Sequence, residues 1–195
     1  MLVILKFDSN TEEYYSSLCE NLNIEYKISL KEKDISKASH IILPDADLLL
    51  KLIKKMQLMN LYSMLRILKI PILGVNNGMM LMCDKIIDLN KSGLGFFNID
   101  VNSIVKNTNS KFVKREVAIL KKSMLLNRLT DKNVLIENSN YLSKNLYTTS
   151  IINGSNEEIS FTMENMNYYG VQIDVKMNSG LFAQIVNNFI GLKYY

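Results

Sequence analysis

The chain has 195 residues, of which 48% are hydrophobic and 22% are charged, and its formal net charge is +4. These values are typical of an ordinary globular protein that is large enough to bury a core, and we expect a single domain over residues 1–195. The lysines are scattered along the chain and form no dense basic stripe, so the sequence predicts no nucleic-acid partner.

The first half of the chain alternates strand-like apolar runs with helix-like segments. In chain order, the pattern predicts strand 2–7, helix 11–21, strand 25–30, helix 32–36, strand 40–43 and helix 48–68. Strands that alternate with helices in this way indicate a parallel sheet with helices on its faces.

The second half is richer in strands. The predicted strands are 99–105, 111–120, 134–137, 145–152, 158–163 and 168–173, with a short helix at 123–128 and a final helix at 179–190. The sequence therefore predicts the α/β class, with a mixed, mainly parallel central sheet.

The cysteine and histidine content excludes several kinds of site. Cys19 and Cys83 cannot form a disulfide framework, and both lie in apolar, helix-like contexts where a thiol behaves as a small hydrophobe. His40 is the only histidine, so a histidine-rich metal centre is excluded and we expect this residue to be structural. We predict no metal site and no cofactor.

The sequence carries no sign of a membrane or export signal. The first residues are too short an apolar run, interrupted too early by charge, to be a signal peptide. No uninterrupted apolar run approaches the roughly 20 residues that cross a bilayer. We therefore expect a cytoplasmic protein without membrane contact.

Residues 71–84 form the most informative stretch. Ile72-Leu-Gly-Val is a buried strand, Asn76-Asn-Gly is a turn, and Met79-Met-Leu-Met restarts a helical pattern. A strand, a tight turn and a helix in succession are the setting in which α/β enzymes place a nucleophile. Asn76 occupies the central turn position, and an amide is not a nucleophile.

Three segments together resemble class I glutamine amidotransferases and, within that group, the glutaminase subunit of imidazole glycerol phosphate synthase. Ile42-Leu-Pro-Asp-Ala-Asp is similar to the family's oxyanion segment, Leu-Pro-Gly-Val-Gly. Ile72-Leu-Gly-Val-Asn-Asn-Gly-Met-Met-Leu-Met resembles its nucleophile elbow, Leu-Gly-Ile-Cys-Leu-Gly-Met-Gln-Leu-Leu. Gly170-Val-Gln-Ile-Asp-Val-Lys resembles its Gly-Val-Gln-Phe-His-Pro-Glu. Order and spacing agree over essentially the whole chain, which implies a three-layer, flavodoxin-like sandwich with a strand-rich second half.

The resemblance places this chain's residues at the family's catalytic positions. The Cys, His and Glu of the family correspond to Asn76, Asp174 and Lys176, and none of the three is kept. A carboxamide cannot form an acyl-enzyme intermediate, and Lys176 brings a positive charge where a carboxylate orients the base in the family. The resemblance therefore implies a pseudoenzyme without glutaminase activity.

The oxyanion segment and the elbow glycines also differ in what they keep. Asp45 and Asp47 replace two glycines whose backbone N–H groups point at the oxyanion in the family, and carboxylates there would repel an oxyanion. Gly74 and Gly78 are kept and are expected to preserve the turn. Asn tolerates positive φ better than most residues, so we predict a positive φ at Asn76.

The resemblance implies a partner and leaves alternatives open. In the family this subunit docks on a (βα)8 cyclase, so we expect a heterodimer with a cyclase-like synthase subunit, in histidine biosynthesis or in a related role in surface-sugar synthesis. A stand-alone binding or scaffold protein on the same fold is the first alternative. The second is new chemistry at Asp45, Asp47, Asp174 and Lys176, whose charges could bind a cation or simply pair.

Overall fold

The structure is a computed structural model that describes residues 1–7, 9–104, 112–129, 133–136, 141–153 and 158–192. Its helices are α1 (Ser9–Asn21), α2 (Glu32–Ile35), α3 (Leu49–Leu58), α4 (Leu61–Ile67), α5 (Asn77–Leu81) and α6 (Ser179–Ile190). The first strands are β1 (Leu2–Leu5), β2 (Tyr26–Ser29), β3 (His40–Leu43), β4 (Ile72–Val75), β5 (Cys83–Ile86), β6 (Lys91–Ser92) and β7 (Phe97–Val101). The later strands are β8 (Val113–Ile119), β9 (Asn133–Ile136), β10 (Thr148–Asn153), β11 (Glu158–Asn165) and β12 (Tyr168–Val171).

Within the described residues, nine strands form one mixed sheet in the order β2-β1-β3-β4-β12-β11-β10-β8-β9. The pairings from β2 to β12 are all parallel, and those from β12 to β9 are all antiparallel, so only β11 and β8 run against the other strands. A second, smaller sheet has the order β6-β5-β7. The predicted α/β class with a mixed, mainly parallel central sheet is confirmed.

Helices cover both faces of the parallel part of the sheet. Side chains alternate across the sheet, so that Ile41 and Leu43 face one core while Ile42 faces the other. The first core contains residues of α3, α4 and α5, and the second contains residues of α1 and α6, including Phe182 and Phe189. These three layers are the predicted flavodoxin-like sandwich. No helix in the described ranges is long and apolar enough to span a membrane.

The structure differs from the predicted elements at two places that local sequence explains in part. The helix predicted at 48–68 is two helices, because Asn60 adopts a left-handed backbone with φ of 54° between α3 and α4. The segment predicted as a helix at 123–128 is a series of turns. Three predicted strands have an end at residue 105, 111 or 137, and these ends lie outside the described residues.

A third difference is the short length of α5, after which β5 begins at Cys83 where a helical context was predicted. The carbonyl oxygens of Leu81, Met82 and Cys83 accept hydrogen bonds from backbone N–H groups of residues 94–97, at 2.7–3.1 Å. These bonds replace the helical ones that would have continued α5.

His40 begins β3 and is buried against the end of the chain. Its Nε2 donates to the Leu192 carbonyl oxygen at 3.1 Å, and its Nδ1 lies 3.1 Å from Ser39 Oγ. The ring packs edge to face on Phe189, with centroids 5.2 Å apart. Burial lowers the pKa of His40 below its usual value of 6.5. These contacts give His40 a packing role.

The lowered pKa of His40 predicts a pH dependence of stability. The unfolded chain takes up a proton as the pH falls through 6.5, whereas the folded chain takes it up only at lower pH. The stability contributed by neutral His40 is therefore present above pH 6.5 and lost as the pH falls below it. Urea unfolding on either side of this pH should show that loss in the native chain and a smaller one in His40→Gln. Because the chain has one histidine, NMR can follow its Hε1 resonance directly, and a midpoint at or above 6.5 would contradict the prediction.

Candidate functional site

The carboxyl ends of three neighbouring parallel strands, β3, β4 and β12, place the candidate site. Asn76 follows β4 directly, and α5 begins at the next residue. The backbone of Asn76 has φ of 48° and ψ of −115°, so the positive φ that the sequence predicted is present. The site is thus a strained strand-to-helix turn at the centre of the parallel sheet, where ligands of α/β proteins commonly bind.

The side chain of Asn76 is buried and fully engaged with the protein. Its Nδ2 donates to the Ile173 carbonyl oxygen at 2.9 Å and to Asp45 Oδ2 at 3.1 Å. Its Oδ1 accepts from the Ile173 N–H at 2.8 Å. Both N–H donors of the amide and its carbonyl oxygen are therefore used within the chain.

Asp45 lies beside this amide and accepts two backbone N–H groups. Its Oδ1 is 2.9 Å from the N atom of Ala46 and 3.1 Å from the N atom of Asn77. The carboxylate is half-buried, whereas Asp47 is exposed. Neither aspartate is among the described residues with positive φ, so both positions accommodate a side chain without backbone strain. The sequence predicted charge repulsion here and did not predict that Asp45 would accept these bonds.

Asn77 ties the turn to two other segments. Its Nδ2 donates to the carbonyl oxygens of Ala46 and Ile104, at 3.0 and 3.1 Å. Its Oδ1 accepts from the Ile104 N–H at 2.9 Å, and the residue is only 3% exposed. Sequence analysis assigned Asn77 to turn chemistry alone, and only a second polar residue inside an apolar stretch hinted at buried bonding.

Asp174 and Lys176 lie in the loop that follows β12. Asp174 Oδ1 accepts from the backbone N–H groups of Lys176 and Met177, at 3.0 and 2.8 Å, which is an Asx turn. The Lys176 side chain is exposed, and among the described residues no ion pair joins it to Asp174. Ile173 brings this loop next to Asn76, while the Asp174 carboxylate bonds within its own loop.

Two further side chains hold the same loop in place. Tyr14 of α1 donates from its hydroxyl to the Val175 carbonyl oxygen at 2.9 Å. Burial, together with the nearby charge of Asp174, raises the pKa of Tyr14 to about 12. Asn178 donates to the carbonyl oxygens of Asp174 and Leu135, at 2.9 and 2.8 Å. The loop is therefore anchored to both α1 and β9.

Neither cysteine supplies the missing nucleophile. Cys19 and Cys83 are buried, and burial raises their pKa values to about 11 and about 12. Since the thiolate is the reactive form, both thiols are unreactive at neutral pH. Among the described residues, no three His, Cys, Asp or Glu side chains are grouped to hold a metal ion.

Comparison with known proteins shows similarity in structure but not in sequence. No family model and no curated protein matches the sequence. A solved glutamine amidotransferase is similar over 97% of each chain, with a TM-score of 0.67 and 9% identity. A Thermoplasma acidophilum protein described as part of a GMP synthase covers 97% of this chain and 92% of its own, with a TM-score of 0.66 and 12% identity. A chain of PurLQS from Thermotoga maritima matches over 97% of both chains, with a TM-score of 0.60 and 14% identity.

These neighbours show that the chain has the glutamine amidotransferase fold over nearly its whole length. At 9–14% identity they establish the fold alone. The strained turn at Asn76 is therefore the expected place for a nucleophile in this fold, and its occupant is an amide.

Gly78 should be the least replaceable residue of the turn. A Cβ there would lie 2.1 Å from the Leu43 carbonyl oxygen and 2.6 Å from that of Pro44, and backbone atoms cannot move aside easily. We expect Gly78→Ala to lower the free energy of unfolding by about 3 kcal/mol, since overpacking against backbone costs more than against a side chain. Gly180→Ala is the matched control because nothing lies within 4 Å of its added Cβ. Urea denaturation of both variants tests this, and equal stabilities would contradict it.

A pair of substitutions at Asn76 separates its hydrogen bonds from its backbone strain. Asn76→Gly keeps the positive φ but leaves the Ile173 N–H without its partner, which should cost about 1–3 kcal/mol. Asn76→Ala loses the same bonds and adds a side chain that tolerates positive φ poorly, so it should be the less stable of the two. Thermal and urea unfolding measure both. An alanine variant as stable as the glycine variant would show that the turn relaxes to an ordinary backbone conformation.

Proposed function

We propose that the chain is a glutamine amidotransferase-like subunit of the imidazole glycerol phosphate synthase type that does not hydrolyse glutamine. Its role is to bind and support a (βα)8 cyclase-like synthase partner, in histidine biosynthesis. The observation that carries this proposal is Asn76, an amide at the nucleophile position whose polar atoms bond to Asp45 and Ile173.

The chemistry of glutamine hydrolysis explains why this observation argues against activity. The reaction needs a nucleophile that attacks the side-chain amide, a base that takes up its proton, and donors for the developing oxyanion. The Asn76 amide offers no nucleophile, and Asp174 holds its own loop. Loss of a catalytic triad typically costs several powers of ten in rate.

The partner role rests on what the chain has kept. Similarity to glutamine amidotransferases extends over 97% of the chain, and the strained turn, its glycines and the neighbouring loops are all built. One similar protein is described as belonging to a multi-chain GMP synthase, so the fold also occurs in a protein that is described as one component of an enzyme. A structurally intact component without glutaminase activity can stabilise a synthase that takes free ammonia from solution.

Two measurements together test the proposal. The purified chain, with or without a cyclase-like barrel from the same genome, should release no ammonia from glutamine above a protein-free control, since it has no nucleophile. Co-expression with that barrel should yield a stable heterodimer whose synthase activity depends on added ammonium and not on glutamine. An active glutaminase of the family is the positive control for the ammonia assay.

The contrary outcomes point to the competing functions. Ammonia release by the native chain would refute the loss of activity. A monomer that binds no barrel would favour a stand-alone scaffold. A barrel partner whose loss affects surface sugars but not growth without histidine would place the pair in the related amidotransfer role.

A further inference from the structure

We propose that the Asp45 carboxylate is an autoinhibitory contact that occupies the oxyanion position of the site and closes it independently of the substituted triad. This inference rests on the proposed function, because it takes the turn at Asn76 as a former glutaminase elbow. It assigns a specific task to a residue that the sequence marked only as a lost glycine.

The position of Asp45 Oδ1 is the first observation. This oxygen lies between two backbone N–H groups, those of Ala46 at 2.9 Å and Asn77 at 3.1 Å. One donor belongs to the segment that resembles the family's oxyanion loop, and the other follows the nucleophile position directly. Two such N–H groups converging on one anionic oxygen are the arrangement that stabilises an oxyanion during acyl transfer. Here the oxygen belongs to the protein itself.

The second observation is the way the rest of the site fits this carboxylate. Asp45 Oδ2 accepts from Asn76 Nδ2 at 3.1 Å, so one side chain bonds both the backbone and the central residue of the turn. A neutral amide donor at position 76 suits a neighbouring carboxylate, whereas a thiolate there would be repelled by it. The substitutions at 45 and 76 are thus chemically matched.

Two consequences follow for any ligand at this site. A substrate carbonyl oxygen cannot reach the two N–H groups while Asp45 Oδ1 remains at hydrogen-bonding distance from both. The negative charge also disfavours a thiolate at position 76. Restoring the triad with Asn76→Cys, Asp174→His and Lys176→Glu should therefore be insufficient, and the oxyanion position should stay closed unless Asp45 is also replaced.

The test uses the pKa of a thiol placed at position 76, which reports the Asp45 charge without requiring any activity. The full chain is prepared as Asn76→Cys alone, with Asp45→Asn, and with Asp47→Asn as the matched control. Cys19 and Cys83 are buried and serve as unreactive background. Asp174 and Lys176, the other charged groups of the site, are the same in all three proteins. Iodoacetamide alkylation is followed against pH, and mass spectrometry identifies the modified residue.

We expect the introduced thiol to have a pKa at least about one unit lower with Asp45→Asn than without it, which corresponds to an alkylation rate about tenfold higher near neutral pH. Asp47→Asn should change the rate less than about twofold, because Asp47 is exposed and the field of an exposed charge is screened by solvent and salt. Equal pKa values in all three proteins, or an equal effect of the two aspartates, would overturn the proposal.

A second measurement covers the case in which the cysteine variants do not fold. Hydrogen exchange of the Asn77 and Ala46 amides is compared in the native chain, Asp45→Ala, Asp45→Asn and Asp47→Ala. Loss of the Oδ1 acceptor should speed exchange of both amides at least about tenfold in Asp45→Ala. Asp45→Asn, which keeps an acceptor oxygen, and Asp47→Ala should retain the protection. Unchanged exchange in Asp45→Ala would overturn the proposal, and neither measurement depends on the cyclase-like partner.

Discussion

The hydrogen bonds of the Asn76 amide hold together the ends of three parallel strands. Asn76 follows β4, Asp45 lies in the loop after β3, and Ile173 lies in the loop after β12. Each loop leaves the sheet with backbone groups that no strand partner can satisfy, and an unpaired buried polar group is costly. One short amide that tolerates positive φ satisfies groups from both flanking loops, so the geometry of the whole edge depends on it.

The same constraint explains why the substitutions occur as a set. A carboxylate beside a thiolate would raise the free energy of the ionised site, whereas a carboxylate beside an amide gains a hydrogen bond. Asn77 extends the arrangement by bonding Ala46 on one side and Ile104 on the other. A site that once required an empty position for substrate has become a set of internal hydrogen bonds, and its stability no longer depends on a ligand.

The success of sequence analysis followed the range of the interactions that decide each element. β3 was predicted at its observed residues, and the turn at Asn76 was predicted with its positive φ, because hydrophobic runs and turn chemistry are local properties. The break at Asn60 and the start of β5 at Cys83 were missed. β5 follows α5 directly because residues 94–97, distant in sequence, take up the carbonyl groups at the end of α5. Periodicity within a window contains no information about such partners.

The sequence by itself determined the order of the elements, the α/β class, the elbow and the absence of a cysteine at its centre. These features depend on residue types and on spacings that can be read along the chain. Only the tertiary structure decided what the new side chains do. Asp45 and Asp47 are two residues apart and alike in chemistry, yet one accepts two backbone N–H groups of the site and the other is exposed. That difference arises because the fold brings the loop after β3 against the turn after β4, a contact between residues too far apart in the chain for any local pattern to record.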